Sequence, residues 1–217
     1  MFEFITGNLL WTQAPLVLLG IIAVAVIGLF FWRPLFYIAA VAFLFCFYFF
    51  RNPVRVCPEA LIDPNVIVCP ADGTILEVVH SPEGAFHGYY HKVSIFLSVF
   101  NVHVNWTPIP GMVEKVKYSQ GQFAMAFLPK SSELNEHNDV VITHPNGQSV
   151  LVRQIAGTIA RRICCWVNIG DVVNAGHKFG MIKFSSRVDL FLPAHAKLNV
   201  HVGQTVTGGQ TVIGRLA

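Results

Sequence analysis

The residues of this chain most able to do chemistry lie in one short run, Gly180-Met181-Ile182-Lys183-Phe184-Ser185-Ser186-Arg187-Val188-Asp189. Two adjacent serines stand between apolar, strand-like stretches and are followed at once by Arg187 and Asp189. As plain structure this is a polar turn closed by an Arg–Asp pair. Yet a strand entering a turn rarely needs two hydroxyls with Arg-x-Asp behind them. His103, in Phe96-Leu97-Ser98-Val99-Phe100-Asn101-Val102-His103-Val104-Asn105, is the best general acid/base candidate, because imidazole titrates near neutral pH. It could equally be a structural histidine on a strand. Asp72, in Pro70-Ala71-Asp72-Gly73, is either a working carboxylate or the Asp of an ordinary Asp-Gly turn. The five cysteines, Cys46, Cys57, Cys69, Cys164 and Cys165, are odd in number and show no C-x-x-C spacing. They read as reduced structural thiols of a cytoplasmic compartment. On a strand, Cys164 and Cys165 point to opposite faces, so one is expected to be buried. No metal constellation is visible.

The elements that position these groups are strands. After Arg51-Asn52-Pro53 the chain alternates short β-rich runs (Val66–Val68, Thr74–Val79, Lys92–Phe100, Gly111–Tyr118, Asp139–Thr143, Ser149–Ile155) with Gly, Pro, Asn and Asp turns. A loop over 119–138 is long enough to be functional or mobile. An internal repeat is present at a spacing of 33: Val167-Asn168-Ile169-Gly170-Asp171-Val172-Val173-Asn174-Ala175-Gly176 matches Val200-His201-Val202-Gly203-Gln204-Thr205-Val206-Thr207-Gly208-Gly209. This is the pattern of biotinyl/lipoyl-type hammerhead hairpins, with glycines supplying positive φ in the turns. The serine pair sits between the two repeats. The expected fold is mainly β, a β-rich α+β class: a flattened β-sandwich over residues 51–217, preceded by a hydrophobic helical hairpin over residues 1–50.

Composition supports that division. The chain of 217 residues is 53% hydrophobic and only 12% charged, outside ordinary soluble usage, and the excess is localised. Residues 16–32 carry no charge, Arg33-Pro34 interrupts, and residues 35–50 form a second uncharged run. A spanning helix wants about 20 apolar residues, so each run is marginal. The pair could span twice or dip into one leaflet, with Pro34 suited to the sharp turn between them. Arg51 and Arg55 just after the second run favour a cytoplasmic C-terminal part. A cleaved secretory signal fits badly, since no Lys or Arg precedes the first run. The net charge of +3 falls on the β-rich part, as expected of a surface resting on anionic lipid. No basic stripe with interleaved aromatics points to nucleic acid.

Four features occur in order: the hydrophobic hairpin, Pro70-Ala71-Asp72-Gly73, the Phe96 to Asn105 run and Phe184-Ser185-Ser186-Arg187-Val188-Asp189. Together, from about Phe49-Phe50-Arg51-Asn52-Pro53 to the C-terminus, they resemble the short, archaeal-type phosphatidylserine decarboxylase proenzymes. The resemblance implies self-processing between Ser185 and Ser186, giving a β subunit (1–185) and an α subunit (186–217). Ser186 would become an N-terminal pyruvoyl group, a covalent, self-generated cofactor that forms a Schiff base with the substrate amine, with no metal and no pyridoxal phosphate. His103 matches the family's acid/base histidine. Asp72 matches the Asp of a self-cleavage triad, and the second histidine of the longer bacterial form is Trp106 here. Asn135, Glu136 and Asn138 match a polar segment that could contact the head group; a solvated loop is the alternative. His87 and His91 receive no role, and Lys130, Arg161 and Arg162 could meet the lipid phosphate or simply be solvated. The family usually has Gly where this chain has Ser185.

The expected function is therefore conversion of phosphatidylserine, or an archaetidylserine-like lipid, to the ethanolamine lipid and carbon dioxide. The expected partners are a phospholipid substrate, the cell membrane, the chain's own second fragment in a heterodimer and further copies in a homo-oligomer. Two other readings stand beside it. One is a degenerate, unprocessed proenzyme acting as a lipid-binding protein. The other is a membrane-fusion or carrier-type lipoyl-like protein.

Overall fold

In the computed structural model, the described residues are 7–80, 88–121, 135–157, 162–183 and 186–217, with residue 186 described by its backbone alone. By packing, the chain divides into Met1–Val54 and Arg55–Ala217.

The first unit is built by its composition. Two helices, Pro15–Phe31 and Arg33–Phe49, each begin with Pro in the first turn, where a missing N–H costs nothing. Trp32 alone is extended between them, so Pro34 opens the second helix instead of occupying the turn. Gly28 lets the helices close: a Cβ there would lie 2.3 Å from the Phe36 backbone nitrogen. Apolar side chains cover most of the outer surface, among them Leu16, Phe30, Phe31 and Val41. A helix apolar all round belongs in a core or in lipid. At 17 residues each helix is about 25 Å long, short of a bilayer core of about 30 Å. Among the described residues no helix is long and apolar enough to cross a membrane.

The second unit, after a short helix at Pro58–Ile62, is antiparallel β. The chain first forms β1 (Val66–Val68), β2 (Gly73–His80) and β3 (His91–Leu97). It then forms β4 (Val104–Trp106), β5 (Gly111–Ser119), β6 (His137–Thr143), β7 (Ser149–Ala156), β8 (Ile163–Cys165), β9 (Val172–Val173) and β10 (Lys178–Ile182). Last come β11 (Ser186–Leu192), β12 (Lys197–Leu198), β13 (Thr205–Val206) and β14 (Val212–Arg215). One sheet runs β13-β2-β3-β11-β7-β6-β5-β9, and two smaller ones run β1-β14-β12 and β4-β10-β8.

These orders are palindromic, which reveals two copies of one seven-stranded unit. Strands β4 to β10 form one copy without interruption. The other is β1-β2-β3 continued by β11-β12-β13-β14, so the first copy is inserted between Leu97 and Ser186. Detailed bonding repeats across the pseudo-two-fold. Ile75 N bonds Gln204 O as Val113 N bonds Asp171 O; Cys69 N bonds Thr211 O as Thr107 N bonds His177 O. Val68 N to Pro108 O and Trp106 N to Pro70 O are each other's mates, and β14 and β10 carry matching register shifts. The opposed pair Leu190 and Val152 lies on the axis.

The sequence repeat at spacing 33 is part of this duplication, with Gly170 and Gly203 at positive φ in matching turns. Gly73 and Gly111 are also equivalent. A Cβ would come within 2.0 Å of Phe96 O at the first and 2.2 Å of Thr143 O at the second, so only glycine fits. One shared core, including Ile67, Ile75, Ile95, Val113, Val140, Val152, Val188 and Leu190, joins the copies. Each such side chain contributes about 1.5–3 kcal/mol by leaving water.

Two local expectations change. Arg187 and Asp189 lie within β11, not in a turn, because the serine run enters a strand flanked on both sides. Cys164 and Cys165 are both half-buried on β8, so neither is the fully buried member expected of the pair.

Candidate active site

The inserted copy ends at β10, and Ser186 is the first residue of β11, opposite Leu97 on β3 and Ala156 on β7. The serine pair thus occupies the re-entry point of the inserted copy. The matching connection, β6 to β7, is a plain turn at 144–148. Both neighbours of Ser186 lead to residues singled out in the sequence.

Beyond Leu97 the chain makes a tight turn. Ser98 N and Oγ both donate to Asn101 Oδ1 at 2.8 Å, and Asn101 N returns a bond to Ser98 O at 3.0 Å. This turn delivers His103, which is fully buried. Its Nδ1 lies 3.0 Å from Asn101 O. A carbonyl only accepts, so Nδ1 carries the proton and Nε2 is the basic nitrogen. Ile182 N donates to His103 O at 3.2 Å, tying the histidine backbone to the end of β10.

Beyond Ala156, Asn135 Nδ2 donates to Ala156 O at 2.8 Å, and Ala156 N donates to Glu136 O at 2.9 Å. Asn138 Nδ2 donates to Gln154 Oε1 at 3.0 Å. Asn135, Glu136 and Asn138 are all buried and brace the strand beside Ser186, so this is not a solvated loop.

Asp72 lies in a different arrangement. Arg55 grips both of its carboxylate oxygens, Gly208 N donates to Oδ1 at 2.8 Å and Val102 N to Oδ2 at 3.3 Å. Arg55 also donates to Gly208 O at 2.7 Å and stacks over the buried Trp106 ring, its guanidinium carbon 4.7 Å from the centroid. Gly208 makes room for that ring: a Cβ there would meet Trp106 at 2.5 Å. Trp106 is therefore the floor of an Arg–Asp clamp. The clamp reaches His103 through the backbone N–H of its neighbour, Val102.

Cys69 adjoins this clamp, its Sγ donating to Ala71 O at 3.0 Å. Burial pushes its thiol up to about 12, assisted by the Asp72 charge and opposed by the Arg55 charge. The thiolate is the nucleophile and is absent at neutral pH. Alkylation of the folded chain at pH 8 is expected to leave Cys69 unmodified until denaturant is added, as read by peptide mass.

A cavity of about 520 Å³ lies on the outer face of β5-β6-β7, lined by Lys115, Lys117, His137, Arg153 and Tyr89. Of the cations suggested for lipid phosphate, Arg162 is exposed. Lys130 and Arg161 lie outside the described residues, as do His87, Ser185 and the Ser186 side chain. His91 sits on β3 at 2.7 Å from His80, nitrogen to nitrogen. Among the described residues no group of three or more His, Cys, Asp or Glu could hold a metal.

Sequence reasoning missed Arg55, Asn105 and Gln154. In the sequence Arg55 reads only as a membrane-flanking charge. Gln154 was legible as one of two polar residues, with Arg153, in the stretch Leu151-Val152-Arg153-Gln154-Ile155-Ala156.

A sequence model of the phosphatidylserine decarboxylase family matches residues 42–214. The chain belongs to that family. Membership makes it a decarboxylase, a carboxy-lyase of phospholipid metabolism, and displaces the carrier or fusion-adaptor reading. The matched span runs from the end of the second apolar helix into β14 and includes Asp72, His103, Asn135, Glu136, Asn138 and Ser186.

Proposed function

We propose that the chain is a self-processing proenzyme that breaks between Ser185 and Ser186 and then decarboxylates phosphatidylserine or an archaetidylserine-like lipid. The observation that carries the proposal is the register. Ser186 heads β11 between Leu97, which leads into the His103 turn, and Ala156, which Asn135 and Glu136 brace.

In maturation, the Ser186 hydroxyl loses its proton and its oxygen attacks the carbonyl carbon of residue 185. The C–N bond then breaks, giving an ester. Loss of the Ser186 α-proton expels the 1–185 carboxylate and leaves dehydroalanine, whose enamine tautomerises and adds water to release ammonia. A hydroxyl is a weak nucleophile unless a base takes its proton. His103, with Nε2 basic, fills that role, and Asp72 contributes by fixing the Val102–His103 backbone.

The pyruvoyl group so formed supplies an electrophilic carbonyl that captures the substrate amine and draws off the electrons freed with carbon dioxide. The residues present fit it, because Arg187 to Phe191 pair with both β3 and β7 and so hold position 186 at the head of the strand. His103 then returns a proton to the substrate carbon. Asn135, Glu136 and Asn138 hold the head-group side of the site, and the apolar hairpin keeps the chain on the cell membrane where the acyl chains remain. The β-rich unit faces the cytoplasm, and the two fragments stay together as a heterodimer.

Mass measurement on the purified full-length chain tests this. The expected result is two fragments, the 186–217 piece lacking a free amine, and release of carbon dioxide from phosphatidylserine vesicles. One intact species that still releases carbon dioxide overturns the proposal. One intact, inactive species favours the degenerate proenzyme, for which Ser185 in place of Gly is the motive. If backbone strain at the β-carbon of residue 185 limits maturation, Ser185→Gly speeds splitting roughly tenfold, the rate equivalent of about 1–2 kcal/mol. An unchanged rate in a time course of fragment masses rejects that steric account.

A further inference from the structure

Three buried amides form a line beneath the head of β11. Asn138 Nδ2 donates to Gln154 Oε1 at 3.0 Å, and Gln154 Nε2 donates to Asn105 Oδ1 at 2.8 Å. Gln154 Nε2 also lies 3.5 Å from the carbonyl of Cys164. A carbonyl can only accept, so this contact fixes which end of Gln154 is nitrogen. Asn105 must then give its oxygen to Gln154 and turn its NH2 group away. All three residues are at most 2% exposed. The sequence leaves room for the line: a Cβ on Gly180 would sit 2.8 Å from Gln154 Nε2.

The line ends on a donor with nothing to donate to. Asn105 Nδ2 is buried and has no hydrogen-bond partner among the described residues. Stranding a buried donor costs about 1–3 kcal/mol, so such a group calls for an explanation. Its position supplies one. Asn105 lies opposite Gly180 on β10, five residues before the 185–186 bond. Gln154, to which it is bonded, lies opposite Val188 on β11, two residues after Ser186. The nearest guanidinium groups in sequence, Arg153 and Arg187, are engaged elsewhere, by Asp139 and by Asp189 with Ser94.

Resting on the self-processing reading, we infer that Asn105 is the donor for the oxyanion formed in maturation. When the Ser186 oxygen bonds to the carbonyl carbon of residue 185, the carbonyl electron pair moves onto its oxygen. Asn105 Nδ2–H donates to that oxygen until the C–N bond breaks and the carbonyl re-forms. The amide line holds the donor in place beforehand, which is what makes such a group effective. A neutral amide suits a transient charge in a buried site, because it carries no charge of its own to be desolvated before the reaction.

The test follows splitting of the full-length chain by intact mass, beside its thermal melting. Asn105→Asp keeps the acceptor for Gln154 and replaces the donor with a carboxylate oxygen, at the cost of a buried charge. Asn105→Ala removes both. Gln154→Glu offers Asn105 an acceptor and turns its NH2 inward. Each is expected to slow splitting about 100-fold in the folded fraction, with Asn105→Ala melting close to wild type and the two carboxylate variants melting lower. Wild-type splitting in a folded Asn105→Ala chain overturns the role. So does loss of rate only in step with loss of folded protein, which would make the line structural. A wild-type chain that never splits overturns the self-processing reading itself, and is seen before any variant is made.

Discussion

Ser186→Ala is expected to leave the chain in one piece at 24.1 kDa and to reduce carbon dioxide release by at least about a thousandfold. The substitution removes one oxygen atom. It leaves the backbone that pairs residue 186 with Leu97 and Ala156, and alanine joins that ladder as serine does. Melting should therefore move by no more than about 3 °C. Loss of chemistry with the fold retained separates this variant from one that is merely unstable. Intact mass, carbon dioxide capture from phosphatidylserine vesicles and a melting curve give the three readings. An active Ser186→Ala chain would remove the pyruvoyl hypothesis outright.

The second large effect is on stability. Asp189 is fully buried and Arg187 is 1% exposed. Arg187 Nε donates to Asp189 Oδ1 at 2.6 Å, and Nη2 donates to Ser94 Oγ at 2.7 Å. Glu77, 3.4 Å from Nη2, is a second carboxylate near the guanidinium and is itself partly exposed. Asp189→Ala strips the guanidinium of its closest counter-charge in a place that water does not reach. Breaking a buried pair from one side costs about 3–5 kcal/mol. For a domain of this size that is a fall in melting temperature of roughly 6–20 °C. The double variant Arg187→Met with Asp189→Leu is expected to recover most of the loss, since neither charge is then stranded. If the single variant melts like wild type, the pair adds nothing to β11. A slower split in Asp189→Ala alone would place strand stability upstream of maturation.

Much of this was legible because it is local. The apolar runs 16–32 and 35–50 dictate helices that seek lipid, although Pro34 opens the second helix instead of filling the turn. Alternation and Gly-Pro-Asn-Asp punctuation located the main strands to within a few residues. The repeat at spacing 33 was visible because its turns demand glycine at Gly170 and Gly203. The serine pair, His103 and Asp72 stood out as reactive residue types, although each also has a local structural reading.

The rest depends on partners far apart in the chain. Asp72 reads as a triad carboxylate or a turn residue, and only packing assigns it to Arg55, 17 residues earlier, and to Gly208, 136 residues later. Asn105 meets Gln154 across 49 residues, and no periodicity encodes that meeting. The insertion of one seven-stranded copy into the other was likewise hidden, because the repeat is evident only where turns force glycine. Sequence by itself determined the kinds of element, their order and the hydroxyl that could react. Tertiary structure decided which buried polar groups face one another, since a buried donor or acceptor must find its partner wherever the folded chain brings one.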